Sequence, residues 1–179
     1  MISIRKEEKT DHDAVRETIV AAFTQSEYGH HGEAKLVDGL RAACEDSLSL
    51  VAIDSAAGIV GHVFFSPAEI RTPDAKLHGF GLAPLAVRPE QWGKRIGSEL
   101  VRAGLDELTA LGHRFVVVIG EPNYYSRFGF QAALPFCLSH GFDGIPKDLL
   151  LVDWLQHSPT VQSGQVFYHA EFGPQHVTG

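Results

Sequence analysis

Residues 83–101 read APLAVRPEQWGKRIGSELV, and this stretch decides the fold. Its first part is an apolar strand across Leu82 to Val87, stopped by Pro89. Its middle is a loop holding Gly93, Lys94 and Arg95, and its end opens a helix at Ile96. Ile96, Leu100, Val101, Leu105, Leu108 and Leu111 then form one apolar stripe that Gly112 terminates. FVVVI at 115–119 follows, a continuous run rich in β-branched residues, as expected of a strand covered on both faces. Strand, helix, strand in that order predicts a parallel crossover.

Working outward, Ile2 and Ile4 alternate with polar residues as in a short strand. Thr10 and Asp13 resemble a capping box opening a helix that carries Val15, Ile19, Ala22 and Phe23 on one face. A second helix from about Glu33 to Cys44 carries Leu36, Val37 and Leu40, and the polar segment SEYGHHG separates the two. SLSLVAI, the turn DSAAG, and IVGHVFF predict an antiparallel hairpin. Ser66 to Lys76, with two prolines, is expected to be a connection to the strand at Leu82. Beyond the crossover, PNYYSRFGF predicts one or two helical turns closing at Gly129, and LLLVDW and QVFYHA predict two late strands. The expected fold is α+β: a mixed, mostly antiparallel sheet with flanking helices in one domain spanning residues 1–179.

The 15 Lys and Arg against 22 Asp and Glu leave a formal charge of −7, which disfavours nucleic acid as a partner. Cys44 and Cys137 form no paired motif and are expected to be buried small hydrophobes in a reducing cytoplasm. The start, MISIRKEEK, lacks the apolar run of a signal peptide, and no stretch approaches the ~20 apolar residues of a membrane span.

Backbone N–H groups at a helix start lack intrahelical partners and sit at the positive end of the helix dipole, so the run from Gly93 to Ser98 is a candidate pyrophosphate cradle. Two better-known phosphate loops do not fit. In GFGLAP, residues 79–84, Pro84 replaces the third Gly of a dinucleotide motif and more strand follows. GKR at 93–95 lacks the Ser or Thr of a nucleotide hydrolase loop. In NYYSRFGF, Tyr124, Phe128 and Phe130 read as core aromatics, whereas Tyr125 is a candidate for chemistry.

The order of helix pair, meander, LAPLAVRPEQWGKRIGSELV, FVVVIG and NYYSRFGF resembles the GNAT acetyltransferase superfamily, most nearly its YhbS-like N-acetyltransferase group. The resemblance covers the whole chain, including GEAKLVDGLR and the late GQVFYHAEF. It implies acetyl-CoA as acyl donor, with the strand backbone at Leu85, Ala86 and Val87 pairing with the pantetheine arm. It further implies that Gly93, Lys94, Arg95, Ile96, Gly97 and Ser98 hold the pyrophosphate, that Trp92 belongs to the same donor site, that Asn123 contacts pantetheine, and that Tyr125 is the general acid. Trp92 and Arg95 depart from the family's loop pattern, Q/R-x-x-G-x-G/A, where they replace Gln or Arg and the first Gly.

Acetyl transfer from a thioester to an amine requires a proton for the leaving thiolate, and a tyrosine with an ordinary pKa of about 10 carries one at neutral pH. An N–H on the strand near Leu85 is a candidate for stabilising the oxyanion. Candidates for the base are His62, Glu69, His78, His30 and His31. The ten histidines show no metal-ligand spacing, and Ser98 and Ser126 lack the GxSxG turn of a hydrolase nucleophile. The expected acceptor is a small-molecule or protein amine, and a homodimer is compatible with this reading. The alternative is a non-catalytic acyl-CoA-binding or regulatory module.

Overall fold

A computed structural model describes residues 1–25, 32–156 and 163–177. The SEYGHHG segment, with His30 and His31, therefore lies outside the described residues except for Gly32. The chain forms two compact units, Met1–Phe65 with Ala83–Gly104, and Ser66–Leu82 with Leu105–Gly179. Two strands and a helix run covalently from one unit into the other: β3 (Gly58–Arg71), β4 (Lys76–Val87) and α3 (Ile96–Ala110).

In the first unit, β1 (Ile2–Lys6) pairs antiparallel with β2 (Leu48–Asp54), and β2 with β3, the register shifting at Ala52/Ile53. The N–H of Arg88, just past β4, donates to the Val60 carbonyl on β3 at 2.9 Å. The helices α1 (His12–Thr24) and α2 (Glu33–Ala43) bury Val15, Thr18, Ile19 and Ala22, and Val37 and Leu40, respectively. The box ahead of α1 is made by Glu8 and Asp11, not by Thr10 and Asp13. The Glu8 N–H donates to Asp11 Oδ2 at 2.8 Å, and Thr10 lies in the 3-10 turn Lys9–Asp11. Gly61 lets α3 approach β3, because a Cβ there would stand 3.0 Å from both Ile96 and Leu100.

In the second unit, β5 (Phe115–Ile119) pairs parallel with β4 through Phe80–Val116 and Gly81–Val117, as the crossover predicts. It pairs antiparallel with β8 (Leu150–Trp154), which also pairs with the short β6 (Gln131–Ala132). The late strand β9 (Gly164–Phe167) pairs with Glu69–Arg71 of β3 and runs parallel to β7 (Leu138–His140). One core cluster joins Ile70, Phe115, Val117, Leu150, Val152 and Val166. Ser66 to Lys76 is not a long connection. β3 runs through Pro67 to Arg71, and Thr72 and Ala75 close a tight turn into β4 with a 2.9 Å bond from N–H to carbonyl. Proline removes one ladder donor without ending a strand. Cys44 is buried as expected, but Cys137 is exposed: it lies in the turn that precedes β7, where its backbone is left-handed (φ 52). No helix among the described residues is long and apolar enough to cross a membrane.

Candidate functional site

The first group of candidate residues lies in the first unit. Arg88 fixes the end of β4, its Nε donating to Thr18 Oγ1 and to the Ile59 carbonyl, each at 3.1 Å. Along the strand, Leu85 and Val87 are half-buried and Ala86 is buried. The 3-10 turn Pro89–Gln91 follows, and then four exposed residues, Trp92 to Arg95. Gly93 (φ 78) and Arg95 (φ 64) both adopt the left-handed conformation, natural for glycine and costing a non-glycine residue about 1–2 kcal/mol. Arg95 thus holds a glycine's backbone shape at the place where the resemblance expects a glycine. Lys94 is steadied by a 2.8 Å bond from Nζ to Gln91 Oε1, and Trp92 Nε1 donates to the Val87 carbonyl at 2.7 Å.

At α3, buried Ile96 and Ser98 fix the first turn while Gly97 between them is half-buried. The N–H of Glu99 donates to the Arg95 carbonyl at 3.0 Å. The three amides before it, at Ile96, Gly97 and Ser98, belong to the helix start, where no intrahelical acceptor exists. The loop thus combines oriented amides, a positive dipole end and two exposed cations, an arrangement suited to an anion.

The second group lies in the second unit. After β5, Glu121 caps α4 (Pro122–Tyr125) by accepting from the Asn123 N–H at 3.4 Å, and a 3-10 turn ends at Gly129 (φ 105), as predicted. Asn123 is exposed and Phe130 is buried. Tyr124, Tyr125 and Phe128 are half-buried and meet edge to face, with Tyr125 5.0 Å from Tyr124 and 5.6 Å from Phe130 between ring centres. Gly120 gives the Tyr125 ring its place, since a Cβ there would come within 2.5 Å of it. Burial among these rings pushes the Tyr125 phenol above its ordinary value, with a smaller contribution from Tyr124. Tyr125 is therefore protonated throughout the neutral range.

Tyr168 was not among the sequence candidates. It is buried against Gly81, where a Cβ would stand 2.4 Å from its ring, and its hydroxyl faces the Ile119 backbone N–H without a well-formed hydrogen bond. Burial raises this phenol too, and Tyr125 is near enough for its charge to be felt. Its alternation with Val166, two places earlier, was the signal that it faces inward.

The candidate bases have other employment. His62 is sealed inside the first unit, where its Nε2 meets Ser49 Oγ at 2.9 Å, and Ser49 in turn donates to Glu7. Because the single Ser49 hydrogen goes to Glu7, Nε2–H must donate to Ser49, which leaves Nδ1 as the unpartnered acceptor. Burial lowers the pKa of His62 despite the neighbouring Glu7, so it is neutral at pH 7. Glu69 is paired with Arg71 at 2.8 Å, and exposed His78 lies 3.7 Å from Glu69. Among the described residues, no group of three His, Cys, Asp or Glu could hold a metal ion.

The crossover and the shaped approach to its helix give a mixed sheet with an anion-suited helix start, and sequence comparison supplies the family. The chain belongs to the GNAT acetyltransferases: the family model described as acetyltransferase (GNAT) domain matches residues 3–133. It is 34% identical over 153 residues to the uncharacterized N-acetyltransferase YhbS of Escherichia coli K12, covering 86% of this chain and 90% of YhbS. The crystal structure of E. coli YhbS in complex with CoA superposes with a TM-score of 0.83 at 33% identity, over 96% of this chain and 91% of that one. A GNAT family acetyltransferase from Brucella melitensis, solved with acetyl-CoA, gives 0.78 at 34% identity over 97% and 99%.

Proposed function

We propose that this acetyltransferase moves the acetyl group of acetyl-CoA onto a primary amine, by direct attack of the amine within a ternary complex. The observation that carries the reading is the approach to α3. There the left-handed backbone at Gly93 and Arg95 precedes three helix-start amides, beside exposed Lys94 and Arg95. In this reading Gly93 to Ser98 hold the diphosphate of the donor with Trp92 beside them, the backbone at Leu85, Ala86 and Val87 takes the pantetheine arm, and Asn123 contacts that arm. The acetyl-CoA and CoA bound by the two solved relatives support the choice of donor.

The amine nitrogen attacks the thioester carbonyl carbon, forming the C–N bond. The C–S bond then breaks, and the sulfur leaves with the proton of Tyr125. The amine releases one proton to solvent, from which Tyr125 is restored. Burial keeps Tyr125 protonated through the neutral range, so the proton that the leaving sulfur needs is present on it. The acceptor is a small-molecule or protein amine, and the reaction belongs to the cytoplasm.

Thermal denaturation with acetyl-CoA tests the reading. At 100 times its Kd the donor adds about 2.7 kcal/mol, or roughly 5–11 °C for a chain of this size. Tyr125→Phe is expected to keep that shift and to lower turnover of acetyl-CoA by about 10²- to 10⁴-fold. A melting curve indifferent to saturating acetyl-CoA rejects the donor, and unchanged turnover in the Phe variant rejects Tyr125 as the acid.

A further inference from the structure

Trp92 is 51% exposed, in the middle of the loop that leads to α3. A lone surface aromatic is ordinary. This one is held in place. Its Nε1–H is tied to the Val87 carbonyl at 2.7 Å and its backbone N–H to the Pro89 carbonyl at 3.1 Å. The polar edge of the indole is thereby satisfied inside the protein, while half of its surface stays in water. An indole pinned by its one donor has lost the freedom that would make stacking on it entropically costly.

We propose that Trp92 is the adenine platform of the acyl-donor site, its indole stacking on the purine of acetyl-CoA. The proposal rests on the reading above that the diphosphate is held at the start of α3. The adenine is joined to that diphosphate through a single ribose, so the base must come to rest on residues flanking the loop. Trp92 flanks it directly, preceding Gly93 and its left-handed backbone. The family's usual Gln or Arg at this place offers a polar tip, whereas an indole offers a broad π-face to a purine. Base–aromatic stacking of this kind is worth about 5- to 150-fold in affinity.

The test uses the full chain in a Trp154→Phe background, so that Trp92 alone fluoresces. The two probes are acetyl-CoA and acetyl-4′-phosphopantetheine, which carries the same thioester arm but no adenosine. Acetyl-CoA is expected to quench the Trp92 emission, and acetyl-phosphopantetheine to leave it unchanged. By calorimetry, Trp92→Ala is expected to weaken acetyl-CoA by about 5- to 150-fold and acetyl-phosphopantetheine by less than about twofold, with Trp92→Phe recovering most of the loss. Equal weakening of both probes, no weakening of acetyl-CoA, or failure of the Phe variant to recover overturns the platform, because the indole then matters only for loop shape or not at all. If the parent protein binds neither probe, the acetyl-CoA reading itself falls and the platform with it. Binding of both probes with an indifferent Trp92→Ala variant removes the platform alone.

Discussion

Glu7 offers the sharpest stability test. It follows β1 directly, its N–H donating to the Ser49 carbonyl at 3.0 Å, and its carboxylate is 4% exposed. Arg41 of α2 donates to it through Nε at 3.2 Å and through Nη2, and Ser49 donates to the same carboxylate. Burial alone would raise the pKa of Glu7. The neighbouring His62, 3.8 Å away, together with the donors Arg41 and Ser49, outweighs burial and holds it at about 2 instead of 4.5. At about 1.4 kcal/mol per pH unit, that difference amounts to about 3 kcal/mol of folding stability.

A carboxyl whose folded pKa is depressed stabilises the fold fully above its unfolded value and loses that contribution as pH falls towards the folded one. The window here runs from pH 4.5 down to about 2. Glu7→Gln leaves the half-buried Arg41 with Asp38, 2.9 Å away, as a charged partner. The variant is expected to unfold about 3 kcal/mol more easily at pH 7, roughly 6–12 °C lower in melting temperature. Urea denaturation at pH 7, 5, 3.5 and 2.5 should show the two proteins converging as the acid titrates Glu7 in the parent. A gap that persists unchanged down to pH 2.5, or no gap at pH 7, refutes the assignment of this stability to the ionised carboxylate.

Arg95→Gly relieves a left-handed non-glycine residue and is expected to raise the melting temperature by roughly 2–8 °C, whereas Arg95→Ala, which keeps the strain, should not. Tyr168→Phe deletes a buried hydroxyl that makes no well-formed hydrogen bond and keeps the ring packed on Gly81. Its melting temperature is expected to equal or exceed that of the parent, and a fall of several degrees would show that the hydroxyl is bonded after all.

Where a residue's role followed from periodicity, the sequence disclosed it. The stripe from Ile96 to Leu108 and the apolar run at 115–119 could only bury themselves as helix and covered strand, so the parallel crossover was legible before any coordinates. The stretch from Ser66 to Arg71 shows how a single residue misleads. Ala68 and Ile70 alternate inward with half-exposed Pro67 and Glu69, a strand pattern plain to see, yet two prolines argued for a connection. The apolar pattern prevailed because burying Ala68 and Ile70 in the core outweighs the loss of one donor.

The loop was harder to read for a different reason. Gly93 announces its left-handed turn, but Arg95 adopts the same conformation with a side chain that normally resists it, and nothing local in the sequence reports that. Trp92's bond to Val87 is equally hidden, since it depends on the chain doubling back over the 3-10 turn. The cluster of Glu7, Arg41, Ser49 and His62 brings together four separate segments, so spacing along the chain carries no trace of it. His62 illustrates the consequence. Its residue type made it a candidate base, but a ring sealed in the core, donating to Ser49 and held neutral by burial, presents its one free acceptor, Nδ1, only to the protein interior. Chemistry inferred from residue type requires exposure as well as identity, and in this chain it is the loop at 92–95, not the buried histidine, that meets both conditions.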